Sequence, residues 1–265
     1  MKQHFKYVFV VLTYRNGEDL YDLVNSLKGK FETYHIIVVN SYYDENTENR
    51  IQEIARDVHG TFFSVKNNGY GAGNNAGIKY AFQHYSFEFI IIANSDLIVK
   101  SFDPQMLPTE NAVIGPKLTT LKGKAQNPYW DRKRYFIEKY LYLGHKKSSI
   151  WHMYVAQGLN RVFREMFLLR IKKSRQPLHV YAIHGACVLF TEDAAHKLYP
   201  VFDPKMFLYY EEAYLARKAL RLGVDIIYYP LLDVLHKEDG STVGLNLDLS
   251  KHATNSYLYY YEQSE

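Results

Sequence analysis

Three carboxylates in the sequence could bind a metal ion or act as a base: Asp96, and the adjacent pair Glu211 and Glu212. Asp96 follows the apolar run 89–93, which is typical of a strand buried on both faces. At the carboxyl edge of an open α/β sheet, such a residue can meet a ligand or a metal ion. The other interpretation is that residues 94–96 only form a turn.

The elements that would position Asp96 alternate along the first hundred residues. Strand-type apolar runs lie at 7–12, 35–39 and 61–65, each followed by polar turn residues and then by apolar side chains at helical spacing. Such alternation, with right-handed crossovers, predicts an α/β fold with a mostly parallel central sheet flanked by helices. Residues 1–100 are therefore expected to form a nucleotide-binding half.

The pair Glu211 and Glu212 begins a helical pattern that ends at Leu222, just before Gly223. Acidic residues favour the first turn of a helix, because the N-terminus carries a partial positive charge. A helix start directed into a cleft is also a usual place for a base. Both interpretations stay open.

Length and composition limit the class of protein. With 265 residues, 47% of them hydrophobic, the chain can bury one large α/β core or two small ones. No apolar run reaches the about 18 residues of a membrane-spanning helix, and the first residues lack the features of a signal peptide. The single cysteine, Cys187, excludes an internal disulfide and fits a reducing compartment, so we expect a cytoplasmic protein.

Although the net charge of the chain is only +4, residues 117–175 form a strongly basic segment with fifteen Lys or Arg and three acids. The pattern predicts either an amphipathic helix at an anionic membrane surface, here the inner face of the cell membrane, or a helix packed on the domain with a solvated basic side. No base-reading module accompanies the charge, so nucleic acid is not expected as a partner. The apolar stripe of this segment consists of Leu159, Val162, Phe163, Met166 and Phe167, beside Arg161, Arg164 and Arg170.

The glycine-rich stretch 71–76 satisfies the pattern G-x-G-x-x-A after a strand, and Asp96 lies about twenty residues on, as in dinucleotide-binding proteins. The stretch, however, follows the third strand and not the first. It also carries two asparagines where small apolar packing is wanted. An NAD-dependent dehydrogenase is therefore only an alternative.

Seven short motifs follow one another along the chain: VLTYRN (11–16), IIVVNS (36–41), NNGYGAGNNAGI (67–78), ANSD (93–96), HGACVLF (184–190), FDPKMFLYYEE (202–212) and LHKEDGS (235–241). In this order they resemble the motifs of family-2 glycosyltransferases with the GT-A fold, and especially the rhamnosyltransferase-like enzymes of bacterial surface polysaccharide synthesis. The resemblance extends over almost the whole chain. It implies a single GT-A domain over 1–265, whose acceptor half, 101–265, carries a basic, aromatic, helical insertion at about 120–176.

The resemblance implies a nucleotide pocket at the ends of the first two strands. Thr13, Tyr14 and Arg15 would line this pocket. Asn40 would meet the base or ribose, at a position where the family more often carries an acid. Asp44 would partly replace that acid.

The glycine-rich motif is expected to approach the sugar donor. Gly71 and Gly73 would let the backbone come close, and Asn68 and Asn75 would supply hydrogen-bond donors and acceptors. The structural interpretation is a tight loop followed by a helix start.

The resemblance places a metal at the motif ANSD (93–96), where Asn94 replaces the first Asp of the family's D-x-D. Asp96 would hold Mg²⁺ or Mn²⁺ together with oxygens of the donor diphosphate, and Asn94 and Ser95 would face the donor. Such an ion neutralises the charge of the departing nucleoside diphosphate. His236 stands where related enzymes have a further ligand, and its imidazole suits Mn²⁺ better than Mg²⁺.

The resemblance aligns Glu212 with the general base and puts Glu211 beside it, whereas Tyr214 replaces the family's next acid. His184, Gly185 and Asp203 would lie on the acceptor side.

The expected activity is therefore inverting transfer of a sugar from a UDP- or dTDP-sugar to a saccharide acceptor, free or lipid-linked. The competing class is a catalytically silent binder of nucleotide sugars, because Asn40, Asn94 and Tyr214 depart from the family pattern. An oligomer is compatible with the sequence.

Overall fold

The computed structural model describes residues 2–171, 174–238 and 249–263. Residues 239–241 of the seventh motif lie outside these ranges. The strands are β1 (Gln3–Thr13), β2 (Tyr34–Ser41), β3 (Thr61–Val65), β4 (Tyr85–Asn94), β5 (Leu97–Phe102), β6 (Ala112–Thr120), β7 (Leu178–His179), β8 (Cys187–Thr191) and β9 (Asp225–His236). The helices are α1 (Asp19–Leu27), α2 (Glu45–Asp57), α3 (Tyr70–His84), α4 (Tyr135–Lys146), α5 (Ile150–Ile171), α6 (Glu192–Leu198), α7 (Glu211–Leu222) and α8 (Leu249–Glu262).

All nine of these strands join one sheet in the order β3-β2-β1-β4-β8-β6-β9-β5, with β7 beside β9. The first four strands are parallel, as the alternation of strands and helices predicts. The second half is mixed: β8 is antiparallel to β4 and β6, and β9 is parallel to β6 but antiparallel to β5 and β7. The α/β fold is confirmed, and its antiparallel share comes from the strands that follow Asp96.

The strand that leads to Asp96 is buried on both faces. Ile90 and Ile92 contribute to the core on one side of the sheet, and Phe89 and Ile91 to the core on the other. Because β4 lies between β1 and β8, its backbone is paired along both edges. The strand is therefore a rigid support for the residues at its end.

The tyrosine-rich C-terminal segment forms α8, which packs on α4. Tyr257 and Tyr260 are buried, and both bond to Glu138 of α4: the Tyr257 hydroxyl donates to the backbone oxygen at 2.8 Å and the Tyr260 hydroxyl to Oε1 at 2.7 Å. Arg217 of α7 lies over the Tyr260 ring, 3.6 Å from its centroid. Helices α4, α7 and α8 therefore form one packed unit. Among the described residues, no helix combines the length and apolar character needed to cross a bilayer.

Candidate active site

Asp96 and His236 meet at the edge where β4 ends. Asp96 lies in the two-residue connection between β4 and β5, and the next residue, Leu97, pairs with His236 across β5 and β9. The Asp96 backbone oxygen also accepts the Lys237 N–H at 3.0 Å. This register brings His236 Nε2 to 3.3 Å from Asp96 Oδ1, with both side chains more than nine-tenths buried.

The tautomer of His236 is set by Gln126 and Glu238. The Gln126 amide nitrogen donates to Glu238 Oε1 at 2.9 Å, so the amide oxygen must be the atom that faces His236 Nδ1, also at 2.9 Å. An amide oxygen only accepts, and Nδ1 therefore carries the hydrogen. In the neutral ring, the Nε2 atom is then left with a lone pair directed at the Asp96 carboxylate.

A divalent cation fits between these two groups. In this tautomer two acceptors face each other at 3.3 Å with no hydrogen between them, and a cation removes the resulting repulsion. Carboxylate oxygen suits Mg²⁺ and Mn²⁺, and imidazole suits Mn²⁺. Within the described ranges no group of three or more His, Cys, Asp or Glu side chains gathers as a metal site, so Asp96 and His236 would hold the ion with help from oxygens of a ligand or water.

The pair Glu211 and Glu212 begins α7 directly after two residues in the left-handed region, Tyr209 (φ 72°) and Tyr210 (φ 66°). Non-glycine residues in this region cost on the order of 1–3 kcal/mol each, and such strain concentrates at functional sites. Glu211 is buried, and its Oε1 has no hydrogen-bond partner in the part of the chain that the structure describes. Burial raises the pKa of both carboxyls, and the charge of Glu212 raises that of Glu211 further.

His184 and Gly185 lie between the Asp96–His236 pair and Glu212. Glu212 Oε1 accepts the Gly185 N–H at 3.1 Å, and the His184 ring lies 5.9 Å from the His236 ring. The Asn127 side-chain oxygen holds the His184 N–H at 2.6 Å, which fixes this segment. The predicted metal side and the predicted base are therefore linked through residues 184–185, and their opening onto one cleft stays a prediction.

His184 is a neutral hydrogen-bond donor in this cleft. Burial, and then the nearby His236, lower its pKa to about 4. Its Nδ1 accepts the Ala186 N–H at 3.1 Å, so the ring hydrogen is on Nε2.

The strand ends predicted to form the nucleotide pocket lie along the same sheet edge as Asp96, because Thr13 pairs with Asn40 and Leu12 with Asn94. Thr13 and Asn40 are buried, and the side-chain oxygen of Asn40 has no partner among the described residues. Asn94 and Ser95 are half-buried at this edge.

Aromatic and cationic side chains border this edge. The Arg15 guanidinium lies 4.8 Å from the Tyr43 ring centroid, and the Tyr14 ring meets Tyr43 edge-on at 5.7 Å. Tyr43 was not among the residues singled out from the sequence. These side chains can offer a stacking surface and a positive charge to a base and its phosphates.

Asp44 has a structural role as well. Its Oδ1 accepts the Thr47 N–H at 2.8 Å, which makes Asp44 the N-cap of α2. The bond to Thr47 also lowers its pKa. Its contact with a base stays a prediction.

Three residues of the glycine-rich motif also have packing roles, and their predicted approach to the donor stays a prediction. A Cβ on Gly71 would lie 2.7 Å from Phe202 Cβ, and one on Gly73 would lie 2.5 Å from the Leu12 side chain. Asn75 exchanges two hydrogen bonds with the Phe202 backbone, at 2.8 and 3.1 Å. The faces without a Cβ are thus turned toward protein, so α3 packs tightly on the sheet. Asn68 is exposed and stays a predicted donor contact.

Asp203 also has a structural role. Its Oδ1 accepts the Lys205 N–H and its Oδ2 the Tyr259 hydroxyl, both at 2.9 Å. The side chain therefore ties this loop to α8. Its place on the acceptor side stays a prediction.

Sequence reasoning missed the residues that orient the site, namely Gln126, Asn127, Glu238, Tyr43 and Tyr70. The Tyr70 hydroxyl donates to the Gly185 backbone oxygen at 2.8 Å, next to the Glu212 contact. Tyr70 stands in the glycine-rich motif, which could have marked it. Gln126 carries no comparable signal, because it lies in a loop 110 residues from His236.

The α/β sheet, with a cation-compatible carboxylate at the end of a buried strand, is the architecture expected of the GT-A fold. The sequence model of "Glycosyl transferase family 2" matches residues 8–195, so the chain belongs to this family. The resemblance of the motifs to this family is confirmed. The dehydrogenase alternative loses its support.

Among relatives, the chain is 24% identical over 236 residues to "Low-salt glycan biosynthesis hexosyltransferase Agl10" of Haloferax volcanii, covering 86% of this chain and 66% of that protein. Among solved structures, it resembles "GalNAc-T7 with UDP, GalNAc and Mn2+" (TM-score 0.66, 13% identity, 97% of this chain and 48% of that one). It also resembles S. aureus TarS (TM-score 0.56, 14% identity, 88% and 36%). The chain therefore spans two thirds or less of each of these proteins, and the structural likeness concerns the fold.

Proposed function

We propose that the protein is an inverting, metal-dependent glycosyltransferase that moves a sugar from a UDP- or dTDP-sugar to a saccharide acceptor, free or lipid-linked, in glycan synthesis. The observation that supports the proposal is the link through residues 184–185: Glu212 accepts the Gly185 N–H, and the His184 ring lies beside that of His236, which contacts Asp96. Family membership supports sugar transfer. The hexosyltransferase named above supports transfer of a hexose in glycan synthesis, and the structural neighbour crystallised with UDP and Mn²⁺ supports the donor class and the metal.

Glu212 is the proposed general base. The acceptor hydroxyl attacks the anomeric carbon on the face opposite the diphosphate, the bond from that carbon to the diphosphate oxygen breaks, and the hydroxyl proton passes to the Glu212 carboxylate. Its raised pKa makes this carboxylate a better proton acceptor at neutral pH than an exposed one. Glu212 is half-buried and can reach the cleft, whereas Glu211 is almost fully buried.

The donor would lie along the sheet edge between Thr13 and Asp96. A divalent ion held by Asp96 and His236 neutralises charge on the departing diphosphate when it is bound. His184 can donate its Nε2–H to an oxygen in the cleft without adding a positive charge. Arg15 can meet the phosphates from the opposite border.

The decisive experiment compares Glu212→Gln with the native protein. The variant should bind donor with unchanged affinity and lose turnover by at least about a hundredfold, which is the usual contribution of a general base. Glu192→Gln is the matched control, because Glu192 is exposed and also begins a helix. Full turnover by Glu212→Gln would reject Glu212 as base. A native protein that binds nucleotide sugars without any turnover would indicate the non-catalytic binder.

The donor can be identified by thermal stabilisation. A ligand that binds only the folded state raises its stability by about 2.7 kcal/mol at a hundred times its dissociation constant. UDP- and dTDP-sugars should be screened with Mn²⁺, with Mg²⁺ and with a chelator. The rhamnosyltransferase-like motifs keep dTDP-sugars in this screen.

A further inference from the structure

Helix α5 presents an apolar face to solvent. Of its residues only Ala156 is buried, although the helix runs for 22 residues. Six large apolar side chains on this helix are 46% to 71% exposed: Ile150, Trp151, Tyr154, Val162, Met166 and Leu169. Helical periodicity puts Trp151, Tyr154, Val162 and Leu169 on one side, opposite Ala156. Gly158 and the exposed Glu165 fall on the same side, so the apolar side chains form two groups, one at each end of the helix. Exposed large apolar side chains grouped in this way are typical of an interaction site.

Helix α4 also carries exposed aromatic residues and packs beside α5. Its Tyr135 and Phe136 are 73% and 50% exposed, and the Phe136 ring lies 6.4 Å from the ring of Phe163 in α5. Phe163 is half-buried and lies on the same side of α5 as Ala156, so this contact belongs to the packing between the two helices. We call the outward side of α4 and α5 the α4–α5 face.

The charge around the α4–α5 face is almost entirely positive. Of the three acids in residues 117–175, Asp131 is bound by Arg134 at 2.7 Å and Glu138 is buried, which leaves Glu165 as the exposed one. The exposed cations of the two helices and the flanking loops include Arg132, Lys139, Lys147, Arg161 and Arg170.

We propose that the α4–α5 face binds the surface of an anionic lipid bilayer. Trp and Tyr favour the interface between lipid headgroups and acyl chains, and Lys and Arg near the surface are attracted to anionic lipids. A second copy of the chain fits less well, because a two-fold contact would bring the same cation-rich face against itself.

Lipid binding would place the candidate active site near the membrane. The Asn160 side chain of α5 donates to the Tyr129 backbone oxygen at 3.5 Å, and the Tyr129 ring lies 6.4 Å from that of His184. If the proposed transferase activity holds, an acceptor attached to a membrane lipid would reach the cleft from this side. The lipid-linked form of the acceptor rests on the proposed function, whereas the binding of lipid does not.

The test is co-sedimentation of the full chain with phosphatidylcholine vesicles, with and without phosphatidylglycerol. The native protein should bind only the anionic vesicles and should be released by salt, which screens the surface charge. The triple variant Trp151→Ser, Tyr154→Ser, Leu169→Ser should lower the bound fraction at least about tenfold. The double variant Arg161→Gln, Arg170→Gln should weaken binding mainly at low salt. Leu220→Ser is the control, since Leu220 is 60% exposed on α7.

Three results would overturn the proposal. The first is a native protein that stays in solution with anionic vesicles at low salt. The second is native-like binding by both variants. The third is a native dimer that the triple variant dissociates, which would assign the face to a second copy. The assay contains no sugar donor, so its outcome is independent of whether the protein transfers sugar.

Discussion

Asp96 Oδ1 and His236 Nε2 lie 3.3 Å apart in a buried corner of the sheet edge, and no hydrogen stands between them in the tautomer that Gln126 imposes. The two residues are 140 positions apart in sequence and are joined by the pairing of β5 with β9. The strand pairing therefore prepares a two-ligand position for a cation.

Replacing His236 should weaken metal binding. We expect His236→Ala to reduce Mn²⁺ affinity by about ten- to a hundredfold, because an imidazole ligand is lost while Asp96 remains. Titration of free Mn²⁺ by electron paramagnetic resonance, with UDP present, measures this change. His4→Ala, at an exposed histidine, is the control. If His236 instead forms a plain ion pair with Asp96, affinity should stay native and unfolding should become easier.

Gln126 should also affect Mn²⁺ affinity, although it is not itself one of the two proposed metal ligands. In Gln126→Leu the ring hydrogen of His236 can move to Nε2, which then no longer offers a lone pair, and we expect a roughly tenfold loss of Mn²⁺ affinity. Donor affinity without metal should be unchanged. Gln83→Leu, at an exposed glutamine, controls for loss of an amide. Equal Mn²⁺ affinity in both variants would contradict the positioning role.

The position of Asp96 could be predicted, and the role of Gln126 could not, for a physical reason. Asp96 follows from local information, since a run of apolar residues forms β4 and delivers the next polar residues to its end. The contact of Gln126 with His236 depends on where a loop settles after the whole sheet has formed. No local pattern encodes that position.

For the glycine-rich motif, the local pattern was recognised in the sequence but the reason for its small residues was not. Its pattern was informative about the helix start at α3, but it did not tell which partner required the small residues. Gly73 meets Leu12 of β1, and Asn75 holds the backbone of Phe202, which lies 127 residues away. A loop that contacts a ligand and one that contacts protein need the same residue types, because both need close approach.

Glu211 should make stability depend on pH. Its folded-state pKa is raised, so its contribution to stability is greatest below the unfolded-state pKa of about 4.5 and is lost as pH rises through the raised value. Glu211→Gln removes the buried charge. We therefore expect the variant to be more stable than the native protein by about 1–3 kcal/mol at pH 8, with the difference shrinking toward pH 5.

Denaturant unfolding at the two pH values measures this difference, with Glu192→Gln as the exposed control. A native protein that is as stable as Glu211→Gln at pH 8 would show that the carboxylate finds a compensating partner in solution.

Gly69 should control the loop that leads to the candidate base. Its φ is 97°, and a Cβ there would lie 2.2 Å from the Phe207 backbone oxygen, which accepts the Tyr70 N–H at 2.9 Å. Gly69→Ala must displace residue 207, four positions before Glu211. We expect a loss of about 1–3 kcal/mol from the clash, in addition to at least about 1–2 kcal/mol from a positive-φ backbone (φ 97°, ψ 173°) that is essentially restricted to glycine.

Gly29→Ala separates these two costs. Gly29 has a similar φ of 71°, but a Cβ there would meet nothing within 4 Å. It should therefore lose only the about 1–2 kcal/mol of the backbone term and keep full turnover. Gly69→Ala should lose turnover as well, because α7 begins from the displaced loop. Equal stability and equal turnover in the two variants would mean that the loop before Glu211 adjusts freely, and that its two left-handed tyrosines do not fix the carboxylate pair.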